Sequence, residues 1–340
     1  MKVETLRSER LGDGRVRCGI CPHQCVVAPG KYGVCRTRHN DNGSLYSLAY
    51  GEITSIALDP VEKKPLYHFF PGELTLSIST FGCSFRCPWC QNYSISQAGA
   101  GDVSAVSFKP EEVVERAKRE GSRIISYTYN EPLIWFEFVL DTSKLAKKEN
   151  MHNVLVTNGY IKMDVLSELL PYVDAANVDV KSINPEFYRK YCAARLEPVL
   201  EVTKEMVDNG VHVETTNLVI PGLNDDREDI EKLCDWHLRD LGSEAPLHFS
   251  RFFPMYKMSR LLPTPVQTVE EAVQTAKEKG IRYVYGGNIP GSRTDSTYCP
   301  GCGRPVVERL GYTISKWNLD SETRCKHCGE KIAIVTGESP

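Results

Sequence analysis

The cysteines constrain this chain more than any other feature, because most of its thirteen cysteines fall into three groups. Cys192 and Cys234 stand alone, and we expect them to behave as small buried apolar side chains. Close spacing in a reducing compartment is typical of metal sites rather than disulfides. The sequence therefore predicts three metal sites, formed by Cys18, Cys21, Cys25 and Cys35; by Cys83, Cys87 and Cys90; and by Cys299, Cys302, Cys325 and Cys328.

The middle of the chain alternates strand-like and helix-like patterns. Its β-rich runs are LTLSIS, RIISYT, NVLVT, AANVDV, HVETTNLVI, LHFSRF and RYVYG. Pro110 and Pro132 lie where the first turn of a helix tolerates proline, and Gly121 and Gly280 follow helical stretches as C-cap residues do. Repeated βα units predict a parallel sheet covered by helices, as a full or partial barrel or as an open doubly wound sheet. In each case functional residues lie just past the carboxyl ends of the strands.

Three regions follow from these patterns. We predict an N-terminal Cys-rich domain over residues 1–72, a catalytic core over 73–291 and a short tail over 292–340. The first residues, MKVETLRSERLGDGRVR, lack an apolar signal region, and no stretch approaches the roughly 20 apolar residues of a membrane span. A formal net charge of -3 does not indicate nucleic acid or an anionic membrane as a partner. The sequence thus predicts a cytoplasmic protein without membrane association.

The central cysteines have the spacing C-x3-C-x2-C and follow the first strand of the core directly. Three thiolates can bind three irons of a [4Fe–4S] cluster and leave the fourth iron open to the amino and carboxylate groups of S-adenosylmethionine (SAM). One-electron reduction of that sulfonium releases a 5′-deoxyadenosyl radical. Trp89 would form an aromatic wall against the adenine or the cluster, and Gly82 would allow close backbone approach. The alternative is a three-cysteine zinc site completed by histidine or water.

Several longer strings carry a family resemblance. They are CGICPHQCVVAPGKYGVCRTR, DPVEKKPLYHFFPG, GCSFRCPWCQNYSISQ, SYTYNEP, LVIPGLNDD, HFSRFFPMYKM, YVYGGNIPG, and CPGCG with CKHCG. Through them the chain resembles the radical SAM superfamily, in the branch of the pyruvate formate-lyase activating enzymes. The closer resemblance is to the AmmeMemoRadiSam system radical SAM proteins. It implies a partial (β/α)6 TIM-like barrel, a [4Fe–4S] cluster and SAM as cofactors, and an association with AMMECR1- and Memo-type proteins.

The resemblance also assigns SAM contacts. SYTYNEP stands where the superfamily has Gly-Gly-Glu-Pro, so Glu131 would meet the SAM amino group, although Tyr129 and Asn130 replace the glycines. The activating enzymes use Asp-x-Lys at the place of Asp179 and Lys181, which would contact SAM. Two alternatives remain open. Residues 130–132 can be an N-cap and first helical turn, and Asp179 with Lys181 can be an ion pair that only orders the cavity mouth.

Further candidates lie at the ends of other strands. Asn158, in VTNGY, offers a short polar group at the end of the third strand, or belongs to an ordinary turn. His248 stands near a histidine that related activating enzymes use on the SAM carboxylate, with Arg251 as a competitor for that role. Asn217 and the turn at 220–222 would line the same mouth.

The N-terminal and C-terminal cysteine groups predict metal sites of different kinds. The pairs Cys299–Cys302 and Cys325–Cys328 are each followed by glycine, which is typical of a zinc ribbon with a structural zinc, while an auxiliary iron–sulfur cluster is the alternative. The N-terminal group permits zinc or an auxiliary iron–sulfur cluster, with His23 or His39 as a substitute ligand.

Three functions compete on this reading. The first is a radical SAM enzyme that abstracts hydrogen from an unknown substrate and receives electrons from a donor such as ferredoxin or flavodoxin. The second is a glycyl-radical-enzyme activase. The third is a non-enzymatic zinc-binding adaptor, which would be colourless and contain zinc without iron.

Overall fold

The computed structural model describes residues 1–5, 7–289 and 291–337. Leu6, Pro290 of the string YVYGGNIPG, and residues 338–340 of the predicted tail lie outside the described residues. In chain order the strands are β1 (Val3–Glu4), β2 (Ser8–Arg10), β3 (Val16–Cys18), β4 (Val26–Val27), β5 (Arg38–Asp41), β6 (Ser44–Ser47), β7 (Glu52–Ile53), β8 (Ser55–Pro60), β9 (Leu74–Ser79), β10 (Val106–Ser107), β11 (Ile124–Tyr127), β12 (His152–Thr157), β13 (Ala175–Asp179), β14 (His212–Val219), β15 (Leu247–Arg251), β16 (Val284–Gly287), β17 (Thr297–Tyr298), β18 (Pro305–Leu310) and β19 (Thr313–Trp317). The α-helices are α1 (Tyr93–Ser96), α2 (Pro110–Arg119), α3 (Phe136–Lys148), α4 (Met163–Leu169), α5 (Pro185–Phe187), α6 (Glu197–Asp208), α7 (Arg227–Asp240) and α8 (Val266–Lys279).

One mostly parallel sheet forms the centre of the molecule. Strands β9 and β11 to β16 run parallel and neighbour one another in chain order, and β8 pairs antiparallel with β9 at one edge. The strand order shows no reversal of the kind that marks a doubly wound sheet. Of the arrangements left open by the sequence, the structure therefore excludes the doubly wound one.

The helices begin and end where local chemistry favours it. At the start of α2 the Glu112 carboxylate accepts a hydrogen bond from the backbone N–H of Lys109 at 2.6 Å, and Pro110 occupies the first turn. At the end of α8 Gly280 adopts a φ of 106°. Because α2, α3, α6, α7 and α8 turn apolar side chains toward the sheet, they bury one face of it in the main core.

The base of the sheet is closed by a polar network around Glu214. This carboxylate is fully buried and accepts hydrogen bonds from the backbone N–H groups of Tyr67 (3.0 Å) and His68 (2.7 Å). His248 on β15 donates to it from Nε2 at 2.6 Å. Because a buried carboxylate without partners is costly, the network fixes the segment at 61–72 beneath the strands.

Smaller sheets flank the centre on both sides. Near the N-terminus, β2, β3 and β4 form one sheet and β1, β6 and β5 another. At the C-terminus β17, β18 and β19 form a third, and Arg309 joins it to the base of the main sheet by donating to the Tyr67 carbonyl at 2.8 Å. Strand β8 pairs with β9 across the position predicted as the first domain boundary. Among the described residues, no helix is both long and apolar enough to cross a bilayer.

Candidate active site

A cavity of about 520 Å³ opens where the parallel strands end at their carboxyl edge. The loop after β9 forms one wall with all three central cysteines, and the loops after the next strands form the others. The predicted site residues that line it are Cys83, Cys87, Trp89, Cys90, Glu131, Asn158, Asp179 and Lys181. The structure thus brings together residues that are almost a hundred positions apart in the sequence.

Two of the three thiols of this loop have close polar neighbours. Cys83 Sγ accepts a hydrogen bond from the backbone N–H of Phe85 at 3.3 Å, and Cys90 Sγ lies 3.1 Å from Ser96 Oγ. Burial raises the pKa of the Cys83 thiol well above its usual range and raises that of Cys90 as well. A bound metal cation would lower these pKa values and favour the thiolate forms.

The number of thiols on this loop suits a [4Fe–4S] cluster with one open iron. Within the described residues, three or more possible ligand atoms within 4.8 Å of one another occur only among the C-terminal cysteines. A single tetrahedral zinc with bonds of 2.3 Å holds thiolate sulfurs about 3.8 Å apart. In a [4Fe–4S] cluster each thiolate meets a different iron, so the sulfurs lie further apart. Three thiolates, from Cys83, Cys87 and Cys90, match the three irons of such a cluster that need a protein ligand.

Glu131 follows β11 and is buried at 1% exposure. Its Oε1 accepts from the backbone N–H of Leu133 at 2.9 Å and from Thr157 Oγ1 at 2.7 Å, and its Oε2 accepts from the backbone N–H of Asn158 at 2.8 Å. Burial raises the pKa of Glu131 to about 7. The N-cap role of Glu131 is thus present in the structure, while its contact with SAM stays a prediction.

Asn158 lies between the strand ends and the cysteine loop. Its Nδ2 donates to Ser84 Oγ at 3.1 Å and lies 3.8 Å from Cys83 Sγ. Its Oδ1 accepts from the backbone N–H of Tyr160 at 3.0 Å, as in a turn. The side chain therefore forms part of the turn and also reaches the sulfur.

Asp179 and Lys181 follow β13 and form an ion pair at 2.9 Å. The side chain of Lys181 is 14% exposed and that of Asp179 is 33% exposed. Burial lowers the pKa of Lys181, but the neighbouring groups, Asp179 foremost, together outweigh this effect and raise the pKa above its usual value, which keeps the ammonium charged. Trp89 adds an apolar wall, since its ring packs 5.4 Å from that of Phe187. The pair presents both charges to the cavity, and its contact with SAM stays a prediction.

Three residues that the sequence suggested for the mouth lie elsewhere. His248 does not line this cavity, because its Nε2 donates to the buried Glu214 carboxylate at the base of the sheet. Its contact with the SAM carboxylate stays a prediction. Asn217 Nδ2 donates to the Val180 carbonyl at 2.9 Å, and Arg251 Nε donates to the Thr264 carbonyl at 2.6 Å. Side chains alternate between the two faces of a strand, and Ser250 lines the cavity in place of Arg251.

Reasoning from the sequence missed one residue beside the cavity and one that lines it. Cys192 is fully buried, as expected of a small apolar side chain, but its Sγ also lies 3.8 Å from Cys87 Sγ. Its position shortly after the strand of Asp179 is the signal that would have indicated it. Tyr312, in the turn between β18 and β19, lines the cavity from the C-terminal sheet, and no local pattern marks it.

The two outer cysteine groups differ in geometry. At the C-terminus Cys299 Sγ lies 3.5 Å from Cys328 Sγ, and Cys302 Sγ lies 3.8 Å from Cys325 Sγ. These are the separations that one tetrahedral zinc ion imposes.

At the N-terminus the backbone N–H of Cys18 donates to the Cys25 carbonyl at 2.9 Å, and that of Val34 donates to Cys25 Sγ at 3.4 Å. His23, a possible substitute ligand, has its Nε2 2.9 Å from the Ser84 carbonyl.

Comparison with known proteins agrees with this geometry. Residues 77–236 match the model of the radical SAM superfamily. The chain is 47% identical over 333 residues to Uncharacterized protein MJ0808 of Methanocaldococcus jannaschii, covering 98% of this chain and 99% of that protein. It is also 26% identical over 223 residues to the pyruvate formate-lyase 1-activating enzyme of Escherichia coli strain K12, covering 61% of this chain and 88% of that enzyme.

Among solved structures, a radical SAM methyltransferase from Sphaerobacter thermophilus aligns with a TM-score of 0.50 at 17% identity. The alignment covers 64% of this chain and 67% of that one, and it supports the α/β fold alone. The chain belongs to the radical SAM superfamily. It is a radical SAM enzyme, and membership of this superfamily implies a [4Fe–4S] cluster and SAM as its cofactors.

Proposed function

We propose that this enzyme uses SAM as the source of a carbon-centred radical and abstracts a hydrogen atom from a substrate that enters through the cavity mouth. The observation that carries this proposal is the single cavity shared by the three central cysteines and the polar strand-end side chains. When bound, the reduced cluster supplies the electron that cleaves the sulfonium of SAM. The protein itself binds, orients and shields the reactants.

Each side chain has a role that its surroundings favour. Cys83, Cys87 and Cys90 would hold the cluster, and Glu131 would accept the cationic amino group of SAM, because a nearby cation favours its ionised form. Lys181 would bind the SAM carboxylate, with Asp179 fixing its ammonium through the 2.9 Å ion pair.

The remaining cavity residues would complete the SAM site. Asn158 would orient Cys83 Sγ, which lies 3.8 Å from its Nδ2. Trp89, which is 4% exposed, would exclude water from the side of the cluster or adenine.

The test is formation of 5′-deoxyadenosine. The chain would be reconstituted anaerobically with iron and sulfide, reduced with dithionite, and given SAM. Cys87→Ala should abolish the product, whereas Cys234→Ala, which changes a buried cysteine of α7 away from the cavity, should preserve it. Product in Cys87→Ala, or none in the reconstituted native chain and Cys234→Ala, would contradict the proposal.

A glycyl-radical activase is the second candidate. It is supported by the similarity to the pyruvate formate-lyase 1-activating enzyme of Escherichia coli. Pyruvate formate-lyase itself serves as the probe. An electron paramagnetic resonance (EPR) signal of a glycyl radical on that protein, dependent on SAM and lost in Cys87→Ala, would support this activity. SAM cleavage without that signal would count against it.

We further propose that the chain belongs to the AmmeMemoRadiSam system, with AMMECR1- and Memo-type proteins as partners and a ferredoxin or flavodoxin as electron donor. The support is the set of sequence strings described above. Adding AMMECR1- and Memo-type proteins should increase 5′-deoxyadenosine formation by the reduced enzyme. An unchanged rate with both proteins present would oppose the partnership.

Finer structural features belong to the same proposal. We propose that the sheet curves into a partial (β/α)6 barrel, which the sequential strand order supports. We also propose a structural zinc at the C-terminal cysteines, supported by sulfur separations of 3.5 and 3.8 Å, and a cytoplasmic location. A purified chain that holds zinc and takes up no iron would favour the adaptor function over the radical SAM reaction.

A further inference from the structure

The N-terminal cysteines converge on one place in their small domain. Cys18 lies at the end of β3, and its backbone N–H bonds to the Cys25 carbonyl at 2.9 Å. The backbone N–H of Val34 bonds to Cys25 Sγ at 3.4 Å, which brings the next residue, Cys35, to the same spot. Cys18 and Cys21 are buried in the same apolar cluster, and Cys25 packs against it. Four thiols thus share one largely buried pocket.

Their spacing differs from that of the C-terminal group in the same molecule. All four residues are described, yet no three of their sulfurs lie within 4.8 Å of one another, whereas the four C-terminal sulfurs do. A single zinc ion requires the short separations, and a [4Fe–4S] cluster, with one thiolate on each iron, does not. The N-terminal arrangement therefore favours a cluster.

This pocket touches the central cysteine loop directly. Gly82, next to Cys83, has a φ of +84°, and a Cβ there would lie 2.3 Å from the Cys35 carbonyl oxygen and 2.8 Å from Thr37 Cγ2. Only a glycine allows so close an approach. His23 adds a second link, because its Nε2 lies 2.9 Å from the carbonyl of Ser84, the residue after Cys83.

We propose that Cys18, Cys21, Cys25 and Cys35 hold a second [4Fe–4S] cluster that passes electrons to the cluster of the central loop through the contact of Cys35 with Gly82. A reduced low-potential carrier protein loses one electron and the N-terminal cluster gains it. The same electron then moves to the central cluster, which leaves the N-terminal cluster oxidised again. This inference rests on the proposed function, but it concerns how the electron arrives and not what the radical does.

The outer surface of the pocket suits a carrier protein. Cys25 is the one partly exposed cysteine of the four. Around it Val26, Tyr32 and Val34 are 47%, 53% and 40% exposed, which forms an apolar patch on a small domain. Lys31, also exposed, gives the patch a positive charge that favours an acidic carrier.

The first experiment counts iron in the full chain after anaerobic reconstitution. The native chain should hold about eight irons, and both Cys83→Ser/Cys87→Ser/Cys90→Ser and Cys21→Ser/Cys25→Ser should hold about four. The reduced triple variant should show the EPR signal of a [4Fe–4S] cluster. Zinc in place of iron in the triple variant, or about four irons in the native chain, would overturn the proposal. Cys299→Ser/Cys302→Ser, which removes two cysteines elsewhere, should keep the full iron content.

The second experiment tests the electron path without using SAM cleavage as its readout. Reduction of the central cluster is followed by freeze-quench EPR with either a reduced bacterial ferredoxin or dithionite. In Cys21→Ser/Cys25→Ser the rate with ferredoxin should fall at least tenfold, while the rate with dithionite should stay within about twofold. An unchanged rate with ferredoxin would overturn the relay. Because SAM is absent, failure of the radical chemistry cannot imitate either result.

Discussion

Cys87 has a neighbour that the spacing of the sequence does not reveal. Cys192 Sγ lies 3.8 Å from Cys87 Sγ, close enough for its S–H to donate to a thiolate ligand. Hydrogen bonds to cluster sulfurs are among the factors that set the reduction potential of an iron–sulfur centre.

We therefore predict that Cys192→Ala lowers the potential of the central cluster. A lost hydrogen bond of about 1 kcal/mol corresponds to roughly 40 mV for a one-electron couple. The measurement is a redox titration followed by EPR. Cys192→Ser keeps a donor and should restore most of the potential, and Cys234→Ala should leave it unchanged. A Cys192→Ala potential equal to that of the native chain would show that this contact does not reach the cluster.

Glu131 gives a prediction about pH, because burial raises its pKa to about 7 in the folded chain from the usual 4.5. Between these values the folded apoprotein holds a proton that the unfolded chain lacks, so its stability falls as pH rises through this window. Relative to Glu131→Gln, native apoprotein should lose about 2 kcal/mol of unfolding free energy between pH 5 and 7.5. Urea unfolding of both chains in the same buffers measures the difference. A difference that does not vary with pH would contradict the raised pKa.

At the scale of elements, the loop after β9 depends on one glycine. Gly82 combines a positive φ with the close approach of the Cys35 carbonyl, whereas Gly121 at the end of α2 has a φ of +71° with open space around it. The two positions differ mainly in crowding and are a matched pair.

Gly121→Ala should lower the free energy of unfolding by about 1 kcal/mol, the usual penalty of a left-handed backbone. Gly82→Ala should cost roughly 3 kcal/mol or more, because the N-terminal domain must also move away from the loop. Urea unfolding of the apoprotein compares them. Equal losses for both variants would mean that the contact of Cys35 with Gly82 is loose.

The order of elements is also where the sequence was most informative. The alternation of β-rich runs and helical stretches predicted the parallel strands, and the structure confirms them in chain order. The predicted boundary at residue 72 places strand β8 in the N-terminal domain, because a local sequence pattern does not show which strands pair with each other. Its pairing with β9 depends on a register that only the folded sheet provides.

At the scale of the whole molecule, the C-terminal unit reaches two places at once. Arg309 donates to the Tyr67 carbonyl at the base of the main sheet, and Tyr312 lines the cavity at its mouth. The structural zinc that we propose at the four C-terminal cysteines, whose sulfurs lie within 4.8 Å of one another, would hold this unit together.

Cys302→Ser/Cys328→Ser should therefore lose one equivalent of zinc and keep its iron. We expect proteases to cut within residues 297–337 while the core strands stay intact, since a unit this small has little core of its own. Metal analysis and limited proteolysis measure both effects. Cys192→Ser is the control, because it makes the same substitution at a buried cysteine outside the C-terminal group, and it should keep the zinc. A tail that resists proteases without zinc would mean that the contacts of Arg309 and its neighbours hold this unit in place without a metal.

The sequence by itself determined the chemistry of the central loop, because C-x3-C-x2-C is a local pattern and its three thiols must stay together wherever the loop lies. It also determined the succession of strands and helices, which follows from local periodicity. Only the tertiary structure decided which distant side chains join that loop. Cys192 reached Cys87, and His248 turned away toward Glu214, because a buried carboxylate must be satisfied by whichever donors the strand register brings near it.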